Sequence, residues 1–184
     1  MIDMKTLTDH LAQYAAYHRD PRNIATHVVG IPMIVVAIQA LLARVVWWPG
    51  NWPLGAAELA TALALLFYAR LDGRLALLMA ALLGFGLWLA HGLADLPRGE
   101  WLGWSLGLFV VGWIFQAIGH VFERRKPAFV DDLIGLLVGP LFLAAEAVFA
   151  LGGRRELAAA VTERAGPVRR RGPAHSASRF ASRK

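Results

Sequence analysis

Residues 101–127 read WLGWSLGLFVVGWIFQAIGHVFERRKP, and this stretch decides the fold. It carries no charge other than at its ends: from Trp101 to Gly119 there is none. Counted from Trp101 to Phe122 it exceeds the roughly 20 residues needed to cross the hydrocarbon of a bilayer. At its end Gln116, His120 and Glu123 fall within two turns, followed by Arg124, Arg125, Lys126 and Pro127. Spacings of three, four and seven residues share one helical face. An amide, an imidazole and a carboxylate in such a place are expensive to leave unpaired. The stretch therefore reads as a membrane span whose polar end must find partners.

The surrounding chain has the same character. Hydrophobic residues make up 57% of the 184 and charged ones 17%, in long apolar runs, which excludes an ordinary soluble domain and points to a membrane protein. There is no cysteine, so disulfides, thiolate metal sites, iron–sulfur clusters and thiol nucleophiles are excluded. The net charge of +6 would suit nucleic acid. However, the basic residues sit between apolar runs and in the tail, where lipid headgroups and topology account for them, and no nucleic-acid partner is expected. The N-terminal segment is polar, with Asp3, Lys5, Asp9, Arg19 and Asp20, which is unlike a cleavable signal peptide.

Upstream, residues 3–18 (DMKTLTDHLAQYAAYH) predict a short amphipathic helix, with Leu7, Leu11 and Tyr14 on one face and Asp3 or Thr6 as cap. Pro21 is expected to break it, with Asn23 or Thr26 capping the next helix. Spans are then expected at His27–Trp48, at the shorter run Leu54–Tyr68, at Leu75–Ala94 and at Trp101–Phe122. Trp47, Trp48 and Trp52 form an aromatic belt around the turn Pro49-Gly50-Asn51. This topology puts Lys5, Arg19, Arg22, Arg70, Arg74 and the basic trio on one side, against only Arg44 and Arg98 on the other. Both termini are thus expected in the cytoplasm. The run Leu133–Leu151 contains Gly139-Pro140 and reads as a re-entrant hairpin bent there, or as a fifth span. The expected fold is an all-α integral membrane protein of four transmembrane helices, an N-terminal amphipathic helix and a re-entrant or fifth hydrophobic helix. Residues 1–152 form one membrane-embedded domain, and 153–184 a basic, disordered cytoplasmic tail.

With four spans, the start of the first and the end of the fourth share a membrane face. His18, His27 and His120 then converge with Glu123. Imidazoles with a carboxylate suit iron, zinc and other borderline metals. Asn23 and Gln116 are candidate hydrogen-bonding positioners, and Arg124 and Arg125 candidate partners for a lipid carboxylate. Each has a plainer reading. A lone interfacial histidine is usually a hydrogen-bonded helix-end residue, a His-x-x-Glu spacing arises often by chance, Glu123 can pair with Arg124 or Arg19, and the basic trio is first a topology signal. His91 reads as structural and His10 and His175 as unpartnered, while Gln39 and Glu58 read as bundle-facing, hydrogen-bonded residues. The residues alone leave both readings open.

Two blocks narrow the choice. YAAYHRDPRNIATHVVGIP (Tyr14–Pro32) and GWIFQAIGHVFERRKPAFVDDLIGLLVGP (Gly112–Pro140) resemble the small membrane family of 2-hydroxy fatty acid dioxygenases, with Trp113, Gln116, Gly119, His120, Glu123, Pro127 and Ala128 forming the second motif. The likeness extends over about residues 5–150. It implies an Fe(II) enzyme of lipid α-oxidation that uses O2 to shorten a 2-hydroxy fatty acid by one carbon. His18, His27 and His120 would be ligands and Glu123 a ligand or base, with Asn23, Gln116, Arg124 and Arg125 positioning the substrate. The 2-hydroxy carboxylate would chelate the metal while the acyl chain extends between the spans, among membrane lipids. A bacterial chain would lie in the plasma membrane, a eukaryotic one in the endoplasmic reticulum. The alternatives are another metal-dependent lipid hydroxylase or hydrolase, or a non-catalytic lipid-binding or structural membrane protein.

Overall fold

The computed structural model describes residues 5–49, 53–123 and 134–168. Helix α1 (Leu7–Ala15) starts at a capping box, in which Asp9 N–H donates to Thr6 Oγ1 at 3.3 Å and Thr6 N–H to Asp9 Oδ2 at 2.8 Å. Helix α2 runs Pro21–Ala43. Its cap is Asp20, whose Oδ1 accepts from Arg22 N–H at 2.9 Å, rather than Asn23 or Thr26. Pro21 occupies the first helical position, where its missing N–H costs nothing. Helix α1 has already ended at Ala15, six residues before the proline that begins α2, and His27 lies inside the second helix.

A two-stranded antiparallel ladder, β1 (Val46–Trp47) with β2 (Leu54–Gly55), closes the next connection. Helix α3 (Ala56–Leu71) follows, then α4 (Gly73–Ala94), α5 (Arg98–Glu123), α6 (Gly135–Ala150) and α7 (Arg155–Ala165). Among the described residues three helices, α2, α4 and α5, are long and apolar enough to cross a membrane, and the bent pair α6–α7 would be a fourth if taken as one span. At 16 residues, α3 spans only about 24 Å against about 30 Å of hydrocarbon. Leu54 and Gly55 are spent on the ladder and Asp72 leaves the helix to cap α4. The all-helical expectation holds, and the second of the four expected spans is the short one. Leu77, Phe85, Trp88 and Val121 project outward, between 60% and 75% exposed, as lipid contact requires and water would penalise.

The bend expected at Gly139-Pro140 lies elsewhere. Helix α6 passes through Pro140 unbroken, and the 119° turn falls between α6 and α7. A proline near a helix start removes a single backbone bond, and the buried Val138, Leu141 and Phe142 hold the flanking turns in place. Gly152 (φ 80°) and Arg154 (φ 49°), by contrast, leave the right-handed region outright. Arg154 is held there by its bond to Asp72 Oδ2 at 2.7 Å. Helix α7, in the segment expected to be disordered tail, packs on α1 and buries Val161; residues 169–184 lie outside the described residues.

The α2–α5 pair forms the spine. Gly119 abuts Asn23 and Thr26, Gly112 abuts Gly30 and Ile34, and Trp101 Nε1 donates to Ala40 O at 2.8 Å, so the helices run antiparallel in close contact. A methyl group on Gly112 would lie 2.9 Å from the Gly30 carbonyl oxygen. This crossing accepts no side chain. Gln39 bridges three helices, donating to Thr61 Oγ1 and to Leu83 O, both at 3.1 Å. Around the near end, α1, α6 and α7 build an apolar core with Tyr68, Leu75 and Met79, and Tyr68 Oη donates to Leu137 O at 2.8 Å.

Candidate metal centre

The antiparallel spine brings the start of α2 to the end of α5, and the α1–α2 turn meets both. Three histidines meet there. His18 comes from the α1–α2 turn, His27 from the second turn of α2 and His120 from the last turn of α5. Their ring centroids are 4.5, 5.0 and 5.2 Å apart, all three are buried, and their donor nitrogens lie within 4.8 Å of one another. Among the described residues this is the one such grouping.

The protons of two rings follow from their partners. His18 Nδ1 lies 2.8 Å from Tyr14 O, and His27 Nδ1 lies 2.9 Å from Asn23 O. A carbonyl only accepts, so each Nδ1 carries the hydrogen and each neutral ring has its lone pair on Nε2. Those two Nε2 atoms face each other at 3.0 Å. Two lone pairs at that distance repel unless a cation or a shared proton lies between them. Burial, reinforced by the neighbouring His27, pushes His18 well below the ordinary imidazole range, which disfavours the proton. With metal–nitrogen bonds of about 2.1 Å, ligands at right angles have nitrogens about 3.0 Å apart. His120 adds a buried Nδ1 that has no hydrogen-bond partner among the described residues. The donor set fits a borderline divalent metal.

The Glu123 carboxylate is anchored through one of its oxygens. Its Oε2 accepts from Arg19 N–H at 3.0 Å, Asp20 N–H at 2.7 Å and Asn23 Nδ2 at 3.3 Å. It is 1% exposed and sits at the start of α2, where free amides and the helix dipole favour an anion. The carboxylate therefore clamps the end of α5 to the turn that carries His18. Asn23 is wholly buried, and its Nδ2 also donates to Tyr17 O at 3.2 Å. Gln116 is buried one turn before His120, with Nε2 unpartnered among the described residues. Arg124 and Arg125 lie outside the described residues.

Two further residues belong here. Tyr14 stacks on His18 with centroids 4.1 Å apart and planes 5° from parallel; its spacing of four residues before His18 is the sequence signal for it. Arg19 is buried, donating through Nε to Ala15 O at 2.6 Å and through Nη1 to Gly166 O at 2.7 Å. Burial lowers its pKa. The remaining histidines are structural or undescribed. His91 Nε2 meets Glu58 Oε1 at 2.6 Å at the opposite end of the bundle, so Glu58 is hydrogen-bonded as expected but half-exposed rather than bundle-facing. His10 packs edge-on against Phe67, and His175 is outside the described residues.

A cavity of about 270 Å³ opens beside the histidines and is bounded by Tyr14, His27, Gln116 and His120 at this end. The family model described as "2-hydroxy-palmitic acid dioxygenase Mpo1-like" matches residues 4–151. The chain is 34% identical over 151 residues to the 2-hydroxy-palmitic acid dioxygenase MPO1 of Saccharomyces cerevisiae, an alignment covering 79% of this chain and 82% of that one. No solved structure matches. The histidine cluster and both sequence blocks that carry it lie within the matched region: the chain belongs to the Mpo1-like family.

Proposed function

We propose that the protein is an Fe(II)-dependent dioxygenase that shortens 2-hydroxy fatty acids by one carbon, with His18, His27 and His120 holding the metal. The observation that carries the reading is the facing Nε2 pair of His18 and His27, each with its Nδ1 proton already committed to a carbonyl. The name of the yeast relative supports the substrate class. The reaction balances as R–CH(OH)–COOH + O2 → R–COOH + CO2 + H2O. The C1–C2 bond breaks, C2 gains an oxygen, and the four electrons lost by the acid are those that O2 takes up. Ferrous iron would supply O2 activation and a Lewis acid for the hydroxy carboxylate.

The chain's own residues supply the rest. The Tyr14 and Asn23 carbonyls fix both imidazoles and raise their basicity. Glu123 acts as a positioning residue by holding the His18 turn against α5. Tyr14 and Gln116 face the cavity. Burial raises the Tyr14 phenol, so it stays a hydrogen-bond donor, and the Gln116 amide N–H is a second donor for substrate oxygen. Arg124 and Arg125, next in the chain after Glu123, are assigned as countercharge for the carboxylate. The positive-inside bias assigns this end and both termini to the cytoplasmic face.

The test is purified protein loaded anaerobically with Fe(II), then given O2 and 2-hydroxyhexadecanoic acid. The expected result is bound iron and the acid shortened by one carbon, with both lost in His120→Ala. Protein that retains no iron and releases no shortened acid refutes the reading.

A further inference from the structure

We infer that the cavity beside the histidines is the acyl-chain groove of the substrate, running between α2, α5 and α6, with Ile38 and Phe109 at the far end setting the chain length. This rests on the dioxygenase reading for the head group, but the groove has its own physical argument. Its polar boundary is confined to one end, at Tyr14, His27, Gln116 and His120. Beyond them α2 contributes Ile31, Ile34, Val35 and Ile38, and α5 contributes Trp113 and Phe109. The α2 positions recur at three, four and seven residues and the α5 pair at four, so each set is one helical stripe. Among the described residues no charged side chain lines the cavity. An occupant must therefore be an amphiphile whose head meets the imidazoles and whose remainder forms no hydrogen bonds.

The dimensions select a long chain. His27 to Ile38 on α2, and His120 to Phe109 on α5, are each about 16 Å at 1.5 Å per residue. Half the hydrocarbon thickness of a bilayer is about 15 Å, the depth occupied by one acyl chain. A short 2-hydroxy acid would leave most of the groove unfilled. The groove is also open sideways: Ile38 is 42% and Leu136 50% exposed at its rim, so a chain already in the bilayer can enter laterally. Gly139 makes the α6 wall possible, since a methyl group there would lie 2.9 Å from Tyr14 Oη. Lipid tails are as apolar as this lining, so transfer from bilayer to groove yields little hydrophobic gain. Selection arises from steric fit, and chain-length preference is the quantity to read.

Two measurements test this. First, a 2-hydroxy C16 acid with a diazirine near its methyl end is photolysed with the iron-loaded protein under anaerobic conditions, so that binding is read without turnover. Labelling competed by unmodified acid is expected on peptides containing Ile38 and Phe109. Competed labelling around Trp88 to Leu93 instead, which lines a second cavity without the three histidines, or no competed labelling at all, overturns the groove. Second, Ile38→Trp is expected to lower the ratio of C16 to C8 turnover by roughly tenfold, while Leu82→Trp, on the lipid-facing side of α4, leaves the ratio unchanged. An unchanged ratio in Ile38→Trp overturns the length assignment. Should wild type turn over neither acid, the activity reading fails while the labelling result still decides the groove.

Discussion

The two ends of the helical bundle each carry histidine, and they treat it in opposite ways. At the far end His91 sits half-exposed beside Glu58, Nε2 to Oε1 at 2.6 Å, and the pair is complete in itself. Arg44 beside it donates to Ala94 O and stacks over Trp101 at 4.3 Å, closing that end of the bundle. At the near end three imidazoles are buried without a carboxylate among their mutually close donors, and two of them present lone pairs to each other at 3.0 Å. An exposed polar pair contributes little and asks for little. Buried, facing lone pairs ask for a cation. The difference separates a histidine that ends a structure from histidines that begin a site.

The largest expected effect breaks this contrast directly. His27→Ala should abolish iron binding and lower turnover by more than about 100-fold, since loss of a ligand exceeds the 10–100-fold cost of disturbing its hydrogen-bonded support. His91→Ala should leave metal content unchanged and turnover within about twofold. Metal analysis of both purified variants decides it. Equal iron loss in the two would mean that the near-end cluster is no different in kind from the far-end pair.

Next is the spine that holds the two ends apart. Gly112→Val places branched carbon against the Gly30 backbone, which cannot yield as a side chain could. It should destabilise the protein by about 2–3 kcal/mol, read as an earlier thermal transition in detergent. Iron affinity should fall as well, because α2 and α5 carry His27 and His120 separately. A variant that loses stability but keeps full affinity would show that the near end is organised by α1 and its turn rather than by the spine.

The third prediction concerns Glu123. Glu123→Gln keeps an oxygen to accept from the Arg19 and Asp20 amides but removes the charge, and should weaken iron binding by about tenfold through the His18 turn. Glu123→Ala leaves buried N–H donors without an acceptor and should cost about 3 kcal/mol of stability in addition. Were Glu123 itself a ligand, the glutamine variant would lose iron as fully as His27→Ala.

How legible these features were depends on whether they are local. Gln116, His120 and Glu123 share a helical face by spacing alone, and the juxtaposition of His18 and His27 with His120 followed from antiparallel helices joined by short connections. What spacing could not supply was which oxygen meets which hydrogen. Glu123 looks the same in sequence whether or not it meets the amides of Arg19 and Asp20, because that contact is made across about a hundred residues. The α6–α7 bend was missed for a related reason. Pro140 is the stronger breaker on paper, but the chain turns where Arg154 takes up a left-handed conformation tied to Asp72. Helix α7 was hidden by arginine-rich composition, since its anchors are the single buried Val161 and the pairing of Arg164 with Asp9. Glu58 and His91 lie 33 residues apart, so no local pattern could pair them.

The smallest expected effect lies at that α1–α7 contact, an exposed pair at the near end that should behave like the far-end pair rather than like the buried cluster. Asp9 accepts from the Thr6 backbone and side chain and pairs with Arg164. The Thr6 bonds, then the Arg164 charge, hold its carboxyl below the ordinary aspartate value of 3.8. The folded-state value is the lower one, so the clamp is fully formed above the unfolded value and is lost as pH falls through the folded one. Between those points α7 should loosen from α1, read as faster amide exchange in residues 155–165, and Asp9→Asn should remove the pH dependence of that exchange. Iron binding at neutral pH should be unchanged in the same variant, because the pair is exposed and the histidines are held by α2, α5 and the Glu123 clamp. A fall in iron affinity in Asp9→Asn would mean that α7 carries strain to the site through Arg19, whose Nη1 already reaches Gly166 at the end of that helix.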